Sequence, residues 1–237
     1  MLSNALLTAA AAIMAFPSLA TAAPRTMGRS TPELSLTTQI RLVDTFADRF
    51  KLLPDDKDFV YDFNNQTNPA GALANAKTFP ALVGTGTSLT VGQIPGCNMA
   101  VVHIHPRAAE LQAVISGRLY TEQVPEAGVL NSENKQRVIK NELGPGQMTV
   151  FYQGSFHTQL NPDCEPAVVV TAFASEDMGT SLIADATFAL DDDIIANMFG
   201  QAIAGEDIDR VRKALPKTIV YKVEECLAKC GKQKRQI

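Results

Sequence analysis

The 237-residue chain has three histidines, and all three fall in one pattern. His103 and His105 stand two apart in Val102-His103-Ile104-His105-Pro106, and His157 follows the turn Gln153-Gly154-Ser155. On a strand, residues i and i+2 share a face, so both imidazoles project together while Ile104 points away. Glu110 comes five residues after His105, beyond Pro106-Arg107-Ala108-Ala109, and heads the mostly apolar run Leu111-Gln112-Ala113-Val114-Ile115. A carboxylate entering a buried strand is costly unless it is paired or binds a metal. Three neutral imidazoles and one carboxylate form a mixed N and O donor set. That set suits Mn, Fe, Co, Ni, Cu or Zn better than Ca or Mg. Alone, each piece is weak, because a histidine pair on a strand can be a surface feature and a single histidine is usually just hydrogen-bonded. Together, with no histidine elsewhere, they point to a metal centre.

A centre of this kind needs strands from distant parts of the chain. Between residues 79 and 174 only short apolar runs occur, separated by Gly, Pro and Asn. The spacing predicts strands over 88–94, 99–105, 111–116, 119–124, 137–143, 147–151, 156–160 and 167–174, which together indicate a sandwich or barrel. Upstream, apolar residues recur at helical spacing over 39–53, Pro54 ends that segment, and 59–63 alternates like a short strand. Downstream, Asp191-Asp192-Asp193 opens a helix with the stripe Ile194, Ile195, Met198, Phe199, Ala202 and Ile203. A second helix starts at Glu206-Asp207 and stops at Pro216, and a third covers 223–229. The chain therefore reads as all-β with peripheral helices, divided into a leader (1–22), an arm with one helix (23–78), a barrel (79–190) and C-terminal helices with a basic tail (191–237).

Composition narrows the function. A hydrophobic share of 46% and a charged share of 19% suit a globular protein, and a net charge of −4 offers no footprint for nucleic acid or an anionic membrane. The basic run over 229–235 is short and reads as a solvated tail. Residues 6–16 are apolar, Ala-rich and too short to span a bilayer. Pro17 follows, and Ala20-Thr21-Ala22 has the pattern a signal peptidase accepts, so a secreted chain beginning near Ala23 is expected. Secretion makes the four cysteines candidates for disulfides, with three pairings open. It also gives meaning to the glycosylation sequon Asn65-Gln66-Thr67.

Two composite motifs carry a resemblance. His103-x-His105-x4-Glu110-x6-Gly117 resembles the first cupin box of germin-like proteins, and Gly146-x7-Gly154-x2-His157-x3-Asn161 resembles the second. The leader, Leu52-Leu53-Pro54-Asp55-Asp56-Lys57-Asp58-Phe59 and Cys226-Leu-Ala-Lys-Cys230 look most like secreted, spherulin-type germin-like proteins of fungi. The resemblance implies a cupin jelly-roll barrel holding Mn2+ through His103, His105, Glu110 and His157. Two coordination positions would stay open for water, a small molecule or a dioxygen-derived substrate. It also implies a hexamer built from dimers, clasped by the C-terminal helices, and an extracellular or cell-wall location. Such proteins include superoxide dismutases, small organic acid oxidases and non-catalytic metal-binding or storage proteins. Cys97 stands where the first box has glycine, with Gly96 one earlier, and Tyr152 stands where the second has proline. Oxalate-oxidising germins carry two substrate-binding asparagines, and Ala100 and Thr90 occupy those places here. A methyl group cannot donate to a carboxylate, so superoxide chemistry is favoured over oxalate oxidation.

In such a barrel the strand of His103 lies antiparallel to that of His157. Cys97 lies six residues before His103 and Cys164 seven after His157, so Cys97–Cys164 is the expected disulfide. It would stabilise the fold by about 4 kcal/mol. Cys226–Cys230 would then pair locally, with the last helical turn loosened. A Cys97–Cys226 or Cys97–Cys230 link would conflict with that arrangement.

Overall fold

The alternating middle of the chain folds into two antiparallel sheets. A computed structural model describes residues 33–65 and 72–231. Ser35–Ile237 form one unit and Met1–Leu34 another, of which only Glu33 and Leu34 are described. The expected leader, and Gln66 and Thr67 of the Asn65 sequon, lie outside the described residues. Among the described residues no helix is long and apolar enough to cross a membrane.

The strands are β1 (Ala72–Ala74), β2 (Ser88–Ile94), β3 (Asn98–Ile104), β4 (Glu110–Ser116), β5 (Leu119–Val124), β6 (Ile139–Leu143), β7 (Met148–Phe151), β8 (Phe156–Leu160), β9 (Ala167–Phe173), β10 (Ser181–Leu182) and β11 (Val220–Lys222). One sheet runs β1-β2-β9-β4-β7 and the other β10-β3-β8-β5-β6, with β11 also on β3. The eight expected strands all form, while β1, β10 and β11 are too short to show a period. Both short C-terminal additions cover the free edge of β3. β10 pairs at His103 and Ile104, and β11 at Asn98 to Ala100.

Register stacks the interior in layers. The floor is apolar, with Ile94, Val114, Leu119, Leu143, Ala167 and Val169 packed together. One step towards the mouth, the sequence Asn141–Thr121–Gln159–Ala100 crosses one sheet and Thr149–Gln112–Thr171–Thr90 crosses the other. Above this polar belt sit the histidines and Glu110.

The arm differs from expectation. The single helix over 39–53 is two, α1 (Leu36–Leu42) and α2 (Phe46–Leu52), because Thr45 caps the second and breaks the first. Its hydroxyl accepts from Asp48 N at 3.2 Å, satisfying a donor that a continuous helix would have bonded to the backbone. The strand expected over 59–63 is not formed. Asp55 and Asp58 cap a 3-10 turn at Asp56–Phe59, and Asp62 accepts from Asn64 N at 2.8 Å. These side chains offer the backbone local partners in place of a ladder. Ile40 and Leu53 pack with Ala76 and Val83 beside the barrel.

Towards the C-terminus come α3 (Ile183–Thr187), α4 (Asp192–Met198), α5 (Glu206–Ala214) and α6 (Glu224–Lys229). The α4 stripe splits. Ile195 is buried with Phe188, Ala196 and Ile208, whereas Ile194, Met198 and Phe199 are about half exposed.

The disulfides correct the expected pattern. Cys97 bonds Cys226 and Cys164 bonds Cys230, with Cα–Cα separations of 5.1 and 5.6 Å. β3 and β8 are nevertheless antiparallel, pairing Met99 with Leu160 and His103 with His157, so the supposed conflict does not exist. Cys164 lies past the end of β8, within the bend over 163–165, where strand register no longer applies. Cys97 has a φ of 58° and sits in the turn before β3. Cys226 and Cys230 are one helical turn apart on one face, too far to bond each other without breaking α6. Each therefore takes a partner from the barrel. Closing long loops adds about 4–5 kcal/mol per bond in the chain-entropy model, against about 2 for a local Cys226–Cys230 bond. The backbone at Gly96 presses on the same place, since an added Cβ would collide with the Cys164 carbonyl and lie 2.9 Å from Asp163 O. Gly96→Ala is therefore expected to lower the unfolding free energy by about 3 kcal/mol or more. Urea denaturation of the oxidised protein checks this, and an unchanged midpoint would refute the close approach.

Candidate metal centre

His103 lies near the end of β3, His105 just beyond it, Glu110 opens β4, and His157 lies on β8. Side-chain alternation along β3 breaks between Ala100 and His103, where the register with β8 shifts. The carbonyl of Ala100 accepts the Thr158 hydroxyl at 2.6 Å there, and Val101 N donates to Ile219 O at 2.8 Å. The bulge turns His103 inward opposite His157. All four side chains are 2–3% exposed, and one ligand atom from each lies within 4.8 Å of the others. The structure thus brings together every residue of the expected ligand set.

The outer faces of the rings fix their chemistry. His103 Nδ1 lies 2.7 Å from Val101 O, His157 Nδ1 2.9 Å from Ser155 O, and His105 Nδ1 2.6 Å from Gly179 O. A carbonyl can only accept, so each Nδ1 carries the hydrogen and each neutral ring turns an Nε2 lone pair inward. Two of these lone pairs confront Glu110 Oε2, at 2.8 Å from His105 and 3.2 Å from His157. Acceptor against acceptor is repulsive unless a proton or a cation is shared between them. A divalent transition metal satisfies all four groups at once, and the backbone carbonyls are the outer partners that metal-bound imidazoles normally have.

Electrostatics agree. Burial, with His157 nearby, pushes His103 down to about 4, which favours the neutral, ligating form. Burial alone would raise Glu110, but sharing a proton with His105 and His157, the alternative to a cation at that place, outweighs burial and holds the carboxyl at about 2. Phe151 stacks on His157 with ring centroids 4.4 Å apart, and Phe173 meets His105 edge-on at 4.9 Å. These rings wall the centre off from water. Gly179 allows its loop to hold His105, since an added Cβ would lie 2.8–2.9 Å from Arg107 and Pro106.

The polar belt beneath was not singled out by sequence. Gln159 Nε2 donates to Glu110 Oε1 at 3.3 Å, and Gln112 Nε2 donates to Thr171 Oγ1 at 3.3 Å. Gln112 Oε1 and Thr121 Oγ1 are buried without a hydrogen-bond partner among the described residues. The signal was available, because Gln112 and Gln159 each lie two residues after a ligand on the same strand face. A groove of about 770 Å3, lined by Glu126, Arg137, Tyr152 and Gln153 among others, lies beside the turn before His157, and none of the four ligands lines it.

A family model described as cupin matches residues 61–207. The chain is similar to Spherulin-1B of Physarum polycephalum, at 33% identity over 235 residues, covering 96% of this chain and 91% of that one. It is also similar to Germin-like protein 8-2 of Oryza sativa subsp. japonica, at 32% over 143 residues, 58% of this chain and 62% of the other. Among solved structures, a recombinant oxalate oxidase in complex with glycolate superposes with a TM-score of 0.57 at 20% identity. That match covers 68% of this chain and 81% of that one, and it speaks to the fold alone.

Replacing His103 or His105 by alanine is expected to abolish stoichiometric metal binding, because two imidazoles and a carboxylate make an incomplete shell. Elemental analysis of the purified variants checks this. One metal per chain in the double variant would exclude these residues as the ligands.

Proposed function

The chain belongs to the cupin family, as a germin-like member close to the spherulins, and on that premise we propose that it is a secreted manganese protein of superoxide dismutase type. The carrying observation is the confrontation of His105 and His157 lone pairs with Glu110 Oε2, which a shared divalent cation relieves. When bound, manganese would supply one-electron redox chemistry, which superoxide dismutation requires. The protein's part is orientation and exclusion. Val101, Ser155 and Gly179 carbonyls fix the three rings, Gln159 holds the second carboxylate oxygen, and Phe151 and Phe173 exclude water. In the belt below, the Thr121 hydroxyl has no partner among the described residues and is available to donate to a small oxygen species.

Oxalate is disfavoured. Ala100 faces Gln159 across β3 and β8, and Thr90 faces Thr171 across β2 and β9, so the places of the missing asparagines belong to this belt. A methyl and a hydroxyl replace two amide donors there, and an anionic substrate loses their hydrogen bonds. The deep burial of all four ligands favours one alternative, a non-catalytic extracellular or cell-wall metal-binding or storage protein. Secretion is supported by the two disulfides, which persist in oxidising compartments. Assembly as a homo-oligomer, a hexamer by family resemblance, is supported by the half-exposed Ile194, Met198 and Phe199 on and beside α4.

Protein loaded with manganese is expected to dismutate superoxide and to leave oxalate unconsumed, as followed by superoxide decay and by peroxide release. Absence of turnover with full metal occupancy would favour the storage alternative, and purification with another metal would refute manganese. For assembly, light scattering at micromolar concentration is expected to give a multiple of the chain mass, and a monomeric mass would remove the oligomer.

A further inference from the structure

At the end of the barrel opposite the metal, four sulfurs gather under α6. Cys97 Sγ, bonded to Cys226, lies only 3.3 Å from Cys230 Sγ, which is itself bonded to Cys164. The sulfurs of Cys97, Cys226 and Cys230 all lie within 4.8 Å of one another. The two bonds differ in access. Cys97 is 0% and Cys226 7% exposed, whereas Cys164 is open to solvent and Cys230 is half-buried. The outer bond therefore includes a solvent-exposed cysteine, whereas the inner bond joins two buried ones.

The backbone around the cluster is held independently of the sulfurs. Val223 N donates to Cys97 O at 2.7 Å and Cys97 N to Asp163 O at 2.9 Å. Cys230 N donates to Cys226 O at 3.1 Å. Asn161 Nδ2 donates to Ile94 O at 2.9 Å and to Glu165 O at 2.8 Å, tying the loop that carries Cys164. With Cys97, Cys226 and Cys230 placed by hydrogen bonds, a change of partner needs little more than rotation about the Cα–Cβ and Cβ–S bonds.

We propose that the two disulfides form a single exchange unit, in which an external dithiol opens the outer bond and the released Cys230 thiolate takes over Cys97. The dithiol's thiolate attacks Cys164 Sγ, the Cys164–Cys230 bond breaks, and Cys230 leaves as a thiolate. Cys230 then attacks Cys97 Sγ, forming Cys97–Cys230 and expelling Cys226 as a thiolate, which takes a proton from solvent. The second thiol of the reductant closes on the first and releases Cys164 as a thiol. Two electrons pass from the dithiol, which becomes a cyclic disulfide, to one protein disulfide. The product keeps α6 tied to the turn before β3 and uncouples it from the loop after β8. The cluster is thus a thiol-responsive modification site, at the far end of β3 from His103.

The full-length oxidised protein, treated with one equivalent of dithiothreitol, quenched in acid, alkylated and mapped by peptide mass spectrometry, tests this. The doubly alkylated species is expected to carry its labels mainly on Cys164 and Cys226 and to retain a Cys97–Cys230 link. Labels on Cys164 and Cys230 with Cys97–Cys226 intact would overturn the proposal, and so would simultaneous loss of both bonds. Cys164→Ser gives a second readout without reductant. Its three cysteines are expected to divide between Cys97–Cys226 and Cys97–Cys230, and Cys97–Cys226 alone would overturn the exchange. If this variant does not fold, the wild-type map decides by itself.

Discussion

Three imidazoles that commit their Nδ1 hydrogens to backbone carbonyls leave three lone pairs and a carboxylate facing one another in a space closed to water. Buried acceptors in contact are among the costlier arrangements a protein can hold, and much of this fold is explained by the need to hold them. The β3 bulge aims His103, the Pro106–Arg107 turn docks against the loop that carries Gly179, and Phe151 and Phe173 close the walls. Because the outer hydrogen bonds fix the rings before any ligand arrives, the inward repulsion cannot relax by ring rotation. That pre-tension is what turns a set of residues into a strong acceptor site for a cation.

The barrel itself obeys a simpler rule. Apart from the irregularities on β3 and near the end of β4, the strands alternate, so register fixes what lies at each depth. His157, Gln159 and Asn161 mark three successive depths on one face, the last tying β2 to the loop after β8. Asn161 is thus a structural member of its motif, although it stands in line with His157, a candidate metal ligand. The apolar floor supplies cohesion, the belt supplies hydrogen-bonding capacity, and the top supplies ligands.

Much of this was legible in sequence where a period or spacing had room to show. Strands β2, β5 and β8 have the expected ends, and the His-x-His pair with Glu110 and His157 converges as the strand face requires. What escaped was local chemistry or distant pairing. Thr45 divides a helix that apolar spacing alone drew as continuous, and Asp55, Asp58 and Asp62 replace a strand by turns. The cysteine pairing escaped because it depends on where α6 lands, and α6 is placed by three residues of β11 that carry no periodic signal. The belt escaped because polar residues on a strand read as solvent-facing until the opposite face is known to point outward.

The free edge of β3 is closed by β10 and β11, segments that come after every other barrel strand in the chain. During synthesis from the N-terminus, His103, His105, Glu110 and His157 therefore all leave the ribosome while one side of the strand carrying His103 still lacks its partners. Closing that side is a long-range event and is correspondingly slow. In chain order the four residues of the site precede the segments that close its seam, so assembly of the donor set and closure of the barrel are separable events.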